Sequence, residues 1–175
     1  MPLLEGLPPI ENPSARALVL GSMPGGASLR RGQYYAHAQN LFWPLMDRFV
    51  GASPSLPYER RIAVLRGAGI ALWDVIGRCE REGSLDSAIR GAVANDFAHF
   101  FAAHGSLRAV LFNGATAEDT FLRQVPATAV PAGVALVRLP STSPANRSVG
   151  FEEKAAAWER ALREAGVERP AAPPV

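Results

Sequence analysis

The chain has 175 residues, enough for one domain with its own core and too few for two ordinary ones. Apolar residues make up 48%, which excludes general disorder, and no apolar run approaches the roughly 18 residues of a membrane span. A net charge of +2 gives no global nucleic-acid signature, and the single cysteine excludes an intramolecular disulfide, an iron–sulfur cluster and a thiolate zinc site.

The first stretch, Pro2 to Pro13, carries four prolines and no hydrophobic period, so it is expected to be loose. It has no basic segment followed by a long apolar run, and no signal peptide is expected; a reducing cytoplasm, close to the nucleoid, is the expected compartment. Ala17–Leu20 is a short apolar run that ends on Gly21-Ser22 and reads as a buried strand. The loop Gly21-Ser22-Met23-Pro24-Gly25-Gly26-Ala27-Ser28-Leu29 follows it. Its glycines let backbone approach a ligand, but their spacing is not that of a dinucleotide or P-loop motif, and Pro24 removes a donor.

Gln33-Tyr34-Tyr35-Ala36-His37-Ala38-Gln39-Asn40-Leu41-Phe42-Trp43-Pro44 comes next. Aromatic faces stack on bases, and amides read base edges or position water. The same residues also fit a plainer arrangement, with Phe42 and Trp43 in the core and Asn40 capping the helix Asn40–Val50. A second helix is expected over Tyr58–Arg66 and a second strand over Ile70–Val75. Asp74 ends that strand and is expected to make a structural hydrogen bond.

A helix over Asn95–His104 opens on an Asn-Asp cap. The strand Ala109–Asn113 and the helix Ala115–Gln124 follow. Val134–Leu139 reads as a fourth buried strand. The loop after it, Leu139-Pro140-Ser141-Thr142-Ser143-Pro144-Ala145-Asn146-Arg147, is stiffened by two prolines and rich in hydroxyls and amides. It suits either a phosphate-holding loop or a cap for the helix Phe151–Ala165. Lys154, the only lysine among 18 basic residues, falls near the start of that helix, where a phosphate contact is expected. His99 and His104 are expected to be solvated or capping, and His37 to bond its own loop. Residues from about 168 to the end form a Pro/Ala tail, also expected to be loose.

Strands alternating with helices imply a parallel sheet covered on both faces, in a single domain spanning residues 1–175. Ligands of such sheets bind outside the carboxyl ends of the strands, which gathers Gly21–Gly26, Asp74, Asn113 and Pro140–Asn146 at one edge.

Three segments in this order, Gly21-Ser22-Met23-Pro24-Gly25, Tyr34-Tyr35-Ala36-His37-x-x-Asn40-x-Phe42-Trp43 and Leu139–Asn146, resemble the hypoxanthine-DNA glycosylase family of the uracil-DNA glycosylase superfamily. Gly69–Val75 and Phe112-Asn113-Gly114 are similar to its interior strands, so the likeness runs from Ala17 to Trp158.

The resemblance implies a three-layer α/β/α sandwich around a four-stranded parallel sheet. It implies a monofunctional glycosylase that flips a deaminated base, hypoxanthine first, out of double-stranded DNA and hydrolyses its bond to the sugar. No cofactor, metal, membrane or second subunit is expected. Met23 stands where mismatch-specific relatives carry a catalytic Asn, and a thioether cannot orient water. The catalytic amide is then Asn40. Tyr35 stacks on the base, with Ser22, Met23, Pro24, Gly25, Phe42 and Asn113 around it. Ser28, Ser141, Thr142, Ser143, Pro144, Ala145, Asn146, Arg147 and Lys154 are expected to contact DNA. Ala38 departs from the family, where Pro is frequent. A uracil or mismatch glycosylase of the same fold, and a non-catalytic nucleic-acid-binding module, remain as alternatives.

Overall fold

The structure, a computed structural model, describes residues 3–169. Its centre is a parallel sheet of β2 (Ala17–Gly21), β3 (Ile70–Asp74), β6 (Ala109–Asn113) and β7 (Ala135–Leu139), in the order β3-β2-β6-β7. The register pairs Val19 with Leu72 on one side and with Leu111 on the other. The two inner strands, β2 and β6, are buried on both faces almost throughout, as apolar runs without alternation imply.

Helices α2 (Phe42–Val50), α3 (Tyr58–Ala68) and α6 (Phe151–Glu164) cover one face of the sheet. There Val19, Leu72 and Leu111 meet Phe42, Met46, Leu65, Trp158 and Leu162. Helices α4 (Phe97–Ala103) and α5 (Ala115–Gln124) cover the other face, where Leu18, Leu20, Val110 and Phe112 meet Phe97, Phe101 and Phe121. Successive residues of one strand thus feed two separate cores, and the fold is the expected α/β/α sandwich. The expected cap of α4 is present: the Asp96 side chain accepts from the His99 N–H. His104 caps the other end but is buried, its ring stacked on Phe100 with centroids 3.9 Å apart, so a solvated role is corrected.

Three expectations change. The opening stretch is anchored: β1 (Leu3–Glu5) pairs antiparallel with β4 (Ile76–Glu80), and Ile10 exchanges two backbone hydrogen bonds with Leu72. Prolines 8 and 9 lack N–H donors, but their carbonyls still accept, and that of Pro8 receives the Tyr34 hydroxyl at 2.8 Å. Second, β4 also pairs with β5 (Arg90–Ala94), giving a small antiparallel sheet β1-β4-β5 with no counterpart in the sequence reading. Register shifts between Ile76, Arg78 and Glu80 break the two-residue alternation that would have marked it. Third, β7 is an edge strand rather than a buried one, with Ala135, Leu136 and Arg138 exposed. Of the tail, residues 170–175 lie outside the described residues.

Candidate active site

The carboxyl ends of β2, β3, β6 and β7 open into one cavity of about 590 Å³. That size falls in the range of small-molecule sites. Its wall is built from the loop after β2, the segment between α1 (Gly26–Arg31) and α2, the ends of β3 and β6, and the loop after β7. A fourth contributor, Ser84–Ser87, comes from the connection between β4 and β5.

Tyr35 and Asn40 both line the cavity. Tyr35 is the one non-glycine residue with positive φ, at 53°, among the described residues. A bulky side chain there costs on the order of 1–3 kcal/mol, so its surroundings must hold it. They do: the Tyr34 carbonyl accepts the Trp43 indole N–H at 2.9 Å, the Tyr34 N–H donates to the Tyr58 hydroxyl, and the Tyr34 hydroxyl reaches the Pro8 carbonyl. The Tyr35 ring stacks on Phe42 with centroids 4.1 Å apart.

Asn40 lies one residue before Leu41, the N-cap of α2, so the expected capping of a helix starting at Asn40 is corrected. Its Oδ1 accepts the Phe42 N–H at 2.9 Å, fixing the carboxamide against the first turn of α2. That bond uses one lone pair, leaving Nδ2 and the second lone pair of Oδ1 for the cavity. His37 bonds its own loop as expected, accepting the Gln39 N–H on Nδ1.

The loop after β7 is fastened to both neighbours. Asn113 donates from Nδ2 to Thr142 Oγ1 and accepts the Thr142 N–H on Oδ1, both at 2.9 Å. The Thr142 carbonyl accepts the Leu41 N–H at 3.0 Å, which ties the loop to the residue after Asn40. Lys154 Nζ donates to the Asn146 carbonyl at 2.8 Å, and Trp158 Nε1 to that of Pro140. Ser141, Ser143, Pro144, Ala145 and Asn146 line the cavity rim, and Arg147 is exposed beside it.

Several expected contacts are therefore corrected. Phe42 is fully buried and backs Tyr35 instead of meeting a base. Thr142 is fully buried, its polar groups spent on Asn113 and Leu41. Asn113 lines the cavity but holds Thr142 with both ends of its amide, so loop anchoring takes two of its four hydrogen-bonding positions. Ser28 is buried, and its Oγ accepts the Ala36 N–H at 3.1 Å. Lys154 is 1% exposed and supports the loop from behind, where it cannot meet a phosphate directly. Burial holds its ammonium below the usual lysine range.

The loop after β2 is locked by residues that the sequence reading did not single out. Ser22 Oγ donates to Asp86 Oδ1 at 2.7 Å, and the Gly26 N–H donates to Ser84 Oγ at 2.9 Å. That N–H is thereby taken up within the protein. The Pro24 carbonyl accepts from Arg81 Nη2 at 2.6 Å. Arg81 is almost wholly buried, and its Nε and Nη1 have no hydrogen-bond partner among the described residues. Met23 packs with Ile76 and Cys79 while still lining the cavity. The cluster Arg81-Glu82-Gly83-Ser84-Leu85-Asp86-Ser87 is a polar turn in the sequence; its return to Ser22 spans more than 60 residues and leaves no local signal.

Asp74 does not make its expected structural hydrogen bond through its side chain. Its carbonyl accepts from Asn95 Nδ2, but neither carboxyl oxygen takes part in a hydrogen bond among the described residues. Asp74 is 4% exposed and its carboxyl sits against Gly21, where a Cβ would lie 2.5 Å from Oδ1 and 3.3 Å from the Tyr35 hydroxyl. Burial, reinforced by Asp86 and opposed by Arg81, pushes the Asp74 pKa up to about 7. The Tyr35 hydroxyl is buried without a partner, and burial together with Asp74 raises its pKa. No group of three or more potential metal-ligating His, Cys, Asp or Glu side chains occurs among the described residues. Nor is any helix among them long and apolar enough to cross a membrane.

Comparison with known proteins follows this architecture. The sequence profile of the uracil DNA glycosylase superfamily matches residues 8–164. A protein of Methanosarcina acetivorans named hypoxanthine DNA glycosylase is 34% identical over 161 residues, covering 90% of this chain and 97% of that protein. A protein of the same name from Methanosarcina barkeri is 38% identical over 111 residues, covering 63% of this chain and 70% of its own length. The solution NMR structure of a proposed uracil DNA glycosylase from Methanosarcina acetivorans superposes with a TM-score of 0.78 at 31% identity, covering 94% of this chain and 99% of that one.

Proposed function

The chain belongs to the uracil DNA glycosylase superfamily, and on that premise we propose that it is a monofunctional DNA glycosylase whose main substrate is hypoxanthine in double-stranded DNA. Two relatives that carry the name hypoxanthine DNA glycosylase support the choice of base. The observation that carries it in the site is Asn40, a fixed amide on the cavity wall, in a site whose loop after β2 offers only the Met23 thioether at the corresponding catalytic position.

The flipped base enters the cavity and lies against Tyr35, whose ring is pre-set by Phe42 behind it. Ser22, Met23, Pro24 and Gly25 close around it. Asn40 directs a water at C1′ with the free half of its carboxamide. The bond from C1′ to the base breaks with its electron pair on the base, and the water oxygen bonds C1′ as its proton leaves. An amide is no strong general base, so positioning and stabilisation of the leaving group do most of the work, and turnover is slow. Ser141, Ser143, Pro144, Ala145, Asn146 and Arg147 meet the DNA strand at the rim. Flipping costs least at mispairs, which favours inosine opposite T or G.

Strand cleavage through a Schiff base needs an amine nucleophile. The one lysine is buried behind the loop with its ammonium on a carbonyl, so the enzyme stops at the abasic site. One chain supplies every wall of the cavity, which fits action as a monomer.

The test is a set of duplexes, each carrying one hypoxanthine, uracil or xanthine, incubated with the protein and then treated with alkali. Breaks at hypoxanthine are expected. Breaks at uracil alone select a uracil or mismatch enzyme, and binding without breaks selects a non-catalytic module. Borohydride trapping should capture no covalent complex.

A further inference from the structure

We propose that Asp74 is a second catalytic residue, a general acid on the cavity floor that gives its proton to the departing base. The proposal rests on the base-excising function inferred above. Three observations point to it. Asp74 ends β3 at the sheet edge where the cavity lies, and it lines that cavity. The residue is 4% exposed, and Oδ2 is buried without a partner. A buried carboxyl with no hydrogen bonds is costly to retain unless something else meets it. The site is also built around it, since Gly21 leaves the space that Oδ1 occupies.

The surroundings suit a group that must exist in both protonation states. Tyr34 and Tyr35 face it from the segment before α2, Asp86 and Arg81 from the segment after β4, and His37 lines the same cavity. Burial and Asp86 favour the neutral acid, which brings its pKa to about 7 in the free protein. Arg81 favours the carboxylate that remains once the proton has gone. A general acid works best when its pKa lies near the working pH.

In the step itself, the C1′–N bond breaks and its electron pair passes to the base. The Asp74 proton neutralises that pair on the base, leaving Asp74 as carboxylate. Water adds its oxygen to C1′ and loses a proton to solvent, and Asp74 takes up a proton from solvent before the next turnover. Asn40 and Asp74 thus divide the reaction, the first directing the nucleophile and the second relieving the leaving group.

The experiment measures single-turnover excision of hypoxanthine from a duplex between about pH 5.5 and 9, for wild type and Asp74→Asn. The wild-type rate should be level at low pH and fall about tenfold per unit above the Asp74 pKa. Asp74→Asn should be roughly 100-fold slower at the low end and level throughout, since an amide has no proton to transfer. A wild-type rate that does not fall with pH overturns the role without any variant. So does an Asp74→Asn protein that keeps the wild-type rate or the wild-type fall. Wild type that leaves hypoxanthine intact at every pH overturns the assigned substrate and this role with it, an outcome distinct from the other two.

Discussion

Along β2, Ala17, Leu18, Val19 and Leu20 are fully buried and paired on both sides, and nothing about them breaks a rule of local structure. One residue further, at Gly21, the chain enters a region where the rules are broken repeatedly. Five buried side-chain polar atoms lack a hydrogen-bond partner among the described residues. Four of them, on Tyr35, Asp74 and Arg81, belong to the cavity wall or to the loop it supports. The fifth, His104 Nε2, has Glu11 3.5 Å away. The positive φ of Tyr35 falls in the same place. Interior strands are optimised for stability; the edge keeps strain and unspent polar groups for a ligand to use.

That contrast can be broken by variants on either side of it. The largest effect should come from Phe121→Ala, remote from the cavity, where the ring is 1% exposed and packs on Phe97 and Phe112. Urea unfolding should show a loss of about 3–5 kcal/mol, while excision by the protein that remains folded is nearly unchanged. A large drop in that rate would mean that core and edge are not separable.

Asn40 should show the reverse. Replacing it with Ala is expected to slow excision by about 100- to 1000-fold. It also removes the bond to the Phe42 N–H, at a cost of about 1 kcal/mol. Asn40→Ser separates the two roles, because a serine hydroxyl can restore the bond to the Phe42 N–H but not the amide. Melting near the wild-type temperature with the rate still lost is the expected result. Recovery of the rate by serine would reduce Asn40 to a structural residue of the turn before α2.

Asp74 makes the edge a pH-dependent liability. Its folded pKa of about 7 lies above the ordinary 3.8, so between those values the native state holds a proton that the unfolded chain has released. Stability therefore falls as pH rises through that window and levels off above it. About 1.4 kcal/mol per unit sets a ceiling of roughly 4 kcal/mol. Asp74→Asn should then be more stable than wild type at pH 8, with the gap closing towards pH 4. Parallel melting curves at the two extremes would show that the carboxyl is not buried as a proton-holding group.

How much of this was visible in the residues depends on how local the cause is. The four parallel strands announce themselves as apolar runs, and the five main helices by their spacing, since each signal lies within about a dozen residues. The carboxyl-edge rule then gathers Gly21, Asp74, Asn113 and Ser141 from the strand pattern alone. The small antiparallel sheet stayed hidden because register shifts between β4 and β5 break its alternation. The division of labour inside the site was also hidden. Thr142, Ser28 and Lys154 are expected as DNA contacts and become anchors only through bonds to Asn113, Ala36 and Asn146. Arg81, Ser84 and Asp86 reach the loop after β2 across long sequence separations, and no periodicity encodes that.

The smallest predicted effect tests that correction. Arg147 and Lys154 are neighbours around the loop after β7, and both are cations, but one is exposed and the other is 1% exposed. If Arg147 meets a phosphate, Arg147→Ala should weaken binding to any duplex and reduce the slope of log K against log salt by about 1. Lys154→Met preserves the length and apolar stem and removes the ammonium that sits on the Asn146 carbonyl. It should leave the salt slope unchanged, since a charge inside the protein displaces no counterion from DNA. The loop it supports would lose one fastening, so some affinity falls equally at every salt concentration. A slope that drops for Lys154→Met as much as for Arg147→Ala would return the lysine to the DNA surface.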